Sequence, residues 1–160
     1  MEYKIEYTIN SEERAKRLRK SGSTRLFEFT RALANKFGPE VYAVLGETNK
    51  KLAIRSTQNV LKELNIEERD AISAVRVLSY LHAFSGTSGE VVEATPTRAV
   101  RIERSCPASE CWDYEYCYKV GSLPVAEGIC AAINPKLTVS HPKYITRGDD
   151  CCEFVFELKE

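Results

Sequence analysis

The sequence predicts an α+β fold, in which a mainly helical N-terminal half packs on a four-stranded antiparallel sheet. Apolar residues recur at helical spacing through the first half of the chain. From residue 90 onward, short runs alternate between apolar and polar residues, which is the pattern of half-buried strands. Two helical segments lie between two pairs of these runs, so the second half follows the order β-β-α-α-β-β.

Turn and capping signals divide the first half into helices. An alternating run at 3–9 is a possible fifth strand of the sheet. The first helix begins with Asn10 or Ser11 as its N-cap, and Gly38-Pro39 ends the second. In that second helix, Leu26, Phe29, Leu33 and Phe37 share one face. The predicted helices cover 10–20, 24–37, 39–64 and 66–86.

The last of these helices carries a core stripe, and Gly86 and Gly89 follow it as chain breaks. The stripe is formed by Ile72, Val75, Leu78, and Leu81 or His82. In the second half, a helix capped by Ser109 and a helix stopped at Asn134-Pro135 separate the two predicted hairpins. The predicted strands cover 90–95, 98–105, 136–146 and 151–159, and the predicted helices cover 109–121 and 123–135.

Length and charge limit the classes of function. A chain of 160 residues is predicted to form a single domain over 1–160, mainly helical over 1–87 and cysteine-bearing over 88–160. The net charge is zero, which argues against nucleic acid and a membrane surface as partners. No stretch approaches the ~20 apolar residues of a membrane helix, and the N-terminus lacks a signal-peptide core. The sequence therefore predicts a cytoplasmic protein.

In a reducing compartment, the six cysteines are expected to be thiols, metal ligands or catalytic groups rather than disulfides. Strand alternation places Cys152 on the same face as Phe154 and Phe156, so Cys152 is predicted to point into the core. Its neighbour Cys151 is predicted to point outward.

The same alternation sends Cys106 into the core together with Val100 and Ile102. Cys117 and Cys130 lie at the borders of apolar helical stripes. Cys106, Cys117, Cys130 and Cys152 are therefore predicted to border one cavity between the sheet and the helix pair. The sequence assigns no role to Cys111.

Three explanations of these cysteines stay open. The four inward thiols form a reactive pocket, or they hold a metal ion, most plausibly zinc, or they are packing groups in the core. Zinc ligands usually come as CxxC pairs, and the chain has none, so zinc is a possible cofactor rather than a firm one. Of the two histidines, His82 is expected in the core and His141 at a bend.

Three segments of the second half resemble the L-2-amino-thiazoline-4-carboxylic acid hydrolase family. They are "EVVEATPTRAVRIERSCP", "EYCYKVGSLPVAEGICAAINP" and "YITRGDDCCEF". The matching positions are Cys106-Pro107, Cys117, Gly121, Cys130, and Gly148-Asp149 with Cys152-Glu153-Phe154. A related ending occurs in 4-vinyl-reductase-type domains, which are small-molecule-binding modules similar in fold to haem-sensing and TRAPP-type trafficking proteins.

The hydrolase resemblance implies a reaction that opens a cyclic amidine at its C–N bond. In that reaction Cys117, Cys130 or Cys152 would act as the nucleophile, and Asp149 would handle protons. The 4-vinyl-reductase-type resemblance implies instead a non-enzymatic sensor or scaffold. Such a protein would bind a small ligand, or zinc through Cys106, Cys117, Cys130 and Cys152, and would form a homodimer through its long helices.

Overall fold

The computed structural model of the protein describes residues 9–159. Three long helices come first, and a four-stranded sheet with two further helices follows. The helices are α1 (Ser11–Phe37), α2 (Glu40–Glu63), α3 (Ala71–Ser85), α4 (Tyr114–Lys119) and α5 (Ser122–Ile133). The strands are β1 (Ser88–Ala94), β2 (Arg98–Ser105), β3 (Leu137–Lys143) and β4 (Cys152–Leu158).

The predicted α+β class is confirmed, with the order β-β-α-α-β-β in the second half. The strands lie in the order β1-β2-β4-β3, and every neighbouring pair is antiparallel. The possible fifth strand at 3–9 falls almost entirely outside the described residues, and the single domain over 1–160 stays a prediction. Within residues 9–159, the helices lack the combination of length and apolar character that crossing a membrane requires.

One face of the sheet packs against α3 and α5. Ala99 and Phe156 form one cross-strand pair on this face, and Arg101 and Phe154 form the next. All four side chains are buried, and the apolar ones belong to a core that α2, α3 and α5 complete. The site described below lies at the end of this face, where β4 begins.

Helices α2 and α5 pack unusually closely because glycine lies at their contact. A Cβ atom at Gly128 of α5 would lie 2.6 Å from the Lys50 carbonyl oxygen and 2.7 Å from the Ala53 Cβ of α2. Any larger side chain would push the helices apart. This contact fixes the position of α5 on α2, and β3 begins shortly after α5 ends.

Four element boundaries differ from the prediction. Residues 10–37 form one helix instead of two, because Trp112 Nε1 donates to the Ser23 carbonyl and Lys20 pairs with Glu110 across the expected break. Helix α3 begins only after Asp70, whose side chain caps it. The helix predicted over 109–121 shrinks to Tyr114–Lys119, because Asp113 rather than Ser109 is its N-cap. The loop from β3 to β4 includes a 3-10 turn at Ile145–Arg147.

The apolar face predicted for the helix over 24–37 lies at the protein surface. Leu26, Phe29, Leu33 and Phe37 are exposed, and the buried side chains of α1 are Phe27 and Thr30. Phe27 packs edge-on against Tyr116 of α4, with ring centroids 5.4 Å apart. The helix therefore contacts the domain through a narrow face beside its apolar stripe.

Candidate functional site

A stack of three buried rings lies at the β3–β4 end of the sheet. The His141 imidazole of β3 stacks on Phe154 of β4, with centroids 3.9 Å apart, and contacts the Tyr144 ring at 3.6 Å. His141 lies on the core face because it alternates with Leu137 and Val139 along β3, and the β3–β4 register shifts only after Ser140. His141 was predicted at a bend, and it is instead a buried strand residue.

His141 is buried without a polar partner. Within residues 9–159, neither of its ring nitrogens has a hydrogen-bond partner. Burial above all, together with the charges of His82 and Arg147, lowers the pKa of His141 from 6.5 to about 3. The imidazole is therefore neutral at physiological pH and offers one donor and one acceptor nitrogen.

Two buried hydroxyl groups are also unpartnered among the described residues: that of Tyr144, whose ring contacts His141, and that of Thr146, which lies beside Cys117. The Tyr144 and Thr146 hydroxyl oxygens are buried and accept or donate no hydrogen bond within the described chain. Burial raises the pKa of Tyr144, so its phenol stays protonated. Each unsatisfied buried polar group lowers the free energy of unfolding by about 1–3 kcal/mol. The cluster therefore destabilises the fold unless a bound molecule supplies the missing hydrogen-bond partners.

Two thiols, those of Cys117 and Cys152, complete the cluster, and the Cys106 thiol lies near them. A negative charge on the Cys106 or Cys117 thiol would raise the pKa of Cys152, and a negative charge on Cys117 or Cys152 would raise the pKa of Tyr144. These groups therefore lie close to one another. The Thr146 hydroxyl lies beside Cys117, where it lowers the pKa of the thiol by less than burial raises it. The group formed by His141, Tyr144, Thr146, Cys117 and Cys152 is called the His141 site below.

Burial keeps these thiols protonated. It raises the pKa of Cys117 to about 11 and that of Cys152 to about 12, and it also raises the pKa of Cys106. The Ile145 N–H donates to Cys152 Sγ at 3.3 Å, which only partly offsets burial. A thiol in such surroundings is a weak nucleophile at neutral pH.

Cys130, the fourth predicted member, has different neighbours. It is buried, and burial raises its pKa to about 12, but the charges that act on it come from Glu127 and Lys50 on the α2–α5 side. Across residues 9–159, no three side chains of His, Cys, Asp or Glu converge as metal ligands would. The zinc site of Cys106, Cys117, Cys130 and Cys152 stays a prediction, which elemental analysis of the purified protein would test.

The alternation argument is wrong for Cys106. The helix-facing residues of β2 are Ala99, Arg101 and Glu103, the opposite set to the predicted one. Cys106 nevertheless lies near Cys117 and Cys152, because β2 ends at Ser105 and the chain turns at Pro107. Because Arg101 and Glu103 are charged, the sequence pattern indicated that the opposite face, with Val100 and Ile102, was the core face.

The two adjacent cysteines are both buried. Cys152 belongs to the main core, as predicted. Cys151, predicted to point outward, is only 1% exposed, and its thiol donates to Asp150 Oδ1 at 3.5 Å. Cys111 is half-buried, and its thiol donates to the Ala108 carbonyl at 3.4 Å.

Asp149 holds the turn that precedes β4. Its Oδ2 accepts from the Tyr144 N–H at 2.7 Å and from Arg147 Nε and Nη2 at 3.0 and 2.7 Å. These hydrogen bonds lower the pKa of Asp149, the Tyr144 N–H most of all. The carboxylate therefore fixes the backbone of Tyr144 and positions its ring in the His141 site.

A buried ion network, which was not predicted from the sequence, lies on the other side of Phe154. Arg101 Nε donates to Glu103 Oε1 at 3.3 Å, and Arg101 Nη1 donates to Ser79 Oγ at 3.0 Å. The His82 Nδ1 contacts the same Glu103 carboxylate. Glu103 lies opposite Cys152 in the β2–β4 pair, so the network borders the His141 site. The sequence signal for this network is the alternation of Ala99, Arg101 and Glu103, which places two charged residues on the same face of β2 as Ala99.

Solved structures with this fold come from proteins of very different sequence. A trafficking protein particle complex subunit 3 from Naegleria fowleri, covalently bound to palmitic acid, has a TM-score of 0.59 at 15% identity, with 88% of this chain and 97% of that chain covered. The phenol-responsive sensory domain of the transcription activator PoxR, solved with phenol, has a TM-score of 0.61 at 11% identity, with 85% and 74% covered.

An H-NOX protein from S. oneidensis in the Fe(II)NO ligation state has a TM-score of 0.50 at 14% identity, with 84% and 74% covered. At such identities the likeness shows the fold alone. No family model and no curated protein matches the sequence, so the resemblance to the thiazoline carboxylate hydrolases stays a prediction.

Proposed function

We propose that the protein is a small-molecule-binding domain whose ligand occupies the His141 site. The observation that carries this proposal is the cluster of unpartnered polar groups on His141, Tyr144 and Thr146, all buried at one end of the sheet. A ligand with a hydrogen-bonding group would satisfy several of them at once. Binding would then recover part of the free energy that their burial costs.

The chemistry of the site favours a neutral ligand. The imidazole is uncharged, the Tyr144 phenol is protonated, and the Arg101 guanidinium is already paired with Glu103. The rings of His141, Tyr144 and Phe154 pack on one another, so the polar atoms lie in largely apolar surroundings. The expected ligand is a small, largely apolar compound with one hydroxyl or carbonyl group.

The structural neighbours support this proposal by analogy of fold. One of them carries covalently bound palmitic acid, and another was solved with phenol. Phenol fits the expected chemistry and is the first probe for this chain. Palmitate is the second probe, because it tests whether the site accepts a longer apolar chain with an anionic group.

The adjacent cysteines provide a matched pair of variants. Cys152 belongs to the His141 site, whereas Cys151 is buried outside the main core, beside Asp150. In calorimetric titrations with phenol and with palmitate, at least one probe is expected to bind the wild type. Cys152→Ser should weaken that binding roughly tenfold, about 1.4 kcal/mol, and Cys151→Ser should leave the dissociation constant unchanged. Failure of both probes, or equal losses in the two variants, would contradict the proposed site.

Hydrolysis of a cyclic amidine is a narrower second proposal, favoured by the closeness of Cys106, Cys117 and Cys152 to one another. The raised pKa values of Cys117 and Cys152 argue against a thiolate nucleophile. Native protein treated with iodoacetamide near neutral pH is expected to show no buried thiol reacting faster than free cysteine. One rapidly alkylated thiol, together with turnover of a 2-aminothiazoline carboxylate, would establish the hydrolase instead.

A further inference from the structure

The longest helix carries an apolar stripe that nothing in the described chain covers. The α1 stripe consists of Leu18, Leu26, Phe29, Leu33 and Phe37, whose exposures lie between 42% and 66%. Only Phe27 and Thr30 of the 27 residues in α1 are buried. A helix is stabilised mainly by packing of its apolar face, so α1 buries less than its sequence provides.

The α1 stripe is large for a monomer surface. From the usual size of leucine and phenylalanine side chains, its exposed apolar area is on the order of 500 Å². The largest apolar patch on a typical monomer is roughly 300–600 Å², and a stable interface buries about 800 Å² on each partner. The stripe with its flanking residues therefore has the size of a protein–protein contact.

The spacing of the stripe is symmetric. With Gly22 included, the positions are 18, 22, 26, 29, 33 and 37, so the intervals are the same from either end. A second α1 helix packed antiparallel would place Leu18 against Phe37, Leu26 against Phe29, and Gly22 against Leu33. Within residues 9–159, no heavy atom outside the helix backbone lies within 4 Å of a Cβ built on Gly22, which leaves room for the opposing leucine.

We propose that the α1 stripe is the contact surface of a two-fold symmetric homodimer, in which the two α1 helices pack antiparallel. A self-complementary surface is what a two-fold dimer requires. This inference is independent of the ligand proposal, and it specifies the surface for the homodimer that the sequence suggested. Three of the eight lysine and arginine side chains on α1 are already paired, in Arg17–Glu13, Arg31–Glu28 and Lys20–Glu110, which reduces repulsion between two copies.

The first test compares two equally exposed phenylalanines. Phe29 in the stripe is 66% exposed and Phe84 of α3 is 63% exposed. In sedimentation velocity at micromolar chain concentrations, the wild type and Phe84→Glu are expected to be dimers, and Phe29→Glu is expected to be a monomer. Circular dichroism should show the same helix content in all three. A monomeric wild type, or a dimer that Phe29→Glu leaves intact, would overturn the proposal.

The second test addresses the antiparallel register. Gly22→Leu should weaken the dimer at least tenfold, because two leucines then oppose each other, although leucine is the better helix former. Adding Leu33→Ala to Gly22→Leu should restore dimerisation, since each contact again joins a leucine to a small residue. A double variant that dimerises no better than Gly22→Leu would overturn the proposed pairing.

Discussion

Arg101→Met is expected to lower the free energy of unfolding by about 3–5 kcal/mol, because it leaves the Glu103 carboxylate buried without its cation. Arg101 is 6% exposed and Glu103 is 3% exposed, so water cannot replace the lost partner. The Ser79 hydroxyl also loses the donor at 3.0 Å. Urea denaturation followed by circular dichroism measures the change.

The chain offers a control on the same strand. Arg104 is exposed and pairs with Glu90 at the surface, so Arg104→Met should change stability by less than about 0.5 kcal/mol. The double variant Arg101→Met/Glu103→Gln removes both charges and should recover most of the loss. If Arg101→Met cost no more than Arg104→Met, the buried network would not be a stabilising unit.

The stability of the wild type should fall by about 2 kcal/mol between pH 7 and pH 5 through His141 alone. Its pKa is about 3 in the folded protein and near 6.5 in the unfolded chain. The unfolded chain therefore takes up the proton first. This contribution is fully present above about pH 6.5 and is lost as the pH falls towards 3.

The replacement His141→Phe isolates this effect, because it keeps a flat ring beside Phe154 and Tyr144 but removes the titrating group. The charged groups that face His141, namely His82 of α3 and Arg147 of the β3–β4 connection, stay in place. Urea unfolding at pH 7, 6 and 5 should give a smaller loss of stability for the variant. Equal pH dependence in the two proteins would show that His141 is not buried as a neutral base.

Much of the fold was predictable, because the chain signals its elements locally. Asn10 at the start of α1, Gly38-Pro39 at its end and the left-handed Gly148 before β4 all act through neighbouring backbone. The prediction was wrong where contacts between residues distant in sequence determine the local structure. The contacts of Trp112 and Lys20 carry α1 through its expected break, and the buried Arg101 and Glu103 reverse the apparent faces of β2.

Local sequence signals also predicted part of the His141 site. Cys117 and Cys152 lie together because helix and strand periodicity fix the direction of each side chain. Cys130 was assigned to the same cavity, but the close α2–α5 contact gives it a separate environment. His141 was missed because the proline that follows it suggested a bend, although strand alternation places His141 on the same face of β3 as Leu137 and Val139.

The central claim is that the His141 site binds small molecules, and the imidazole signals of His141 test it most directly. The chain has two histidines, so a spectrum of His141→Phe identifies which proton signals belong to His141. The account predicts that phenol or palmitate shifts the His141 signals of the wild type in a saturable way. Signals that stay fixed throughout titrations with both probes would contradict it.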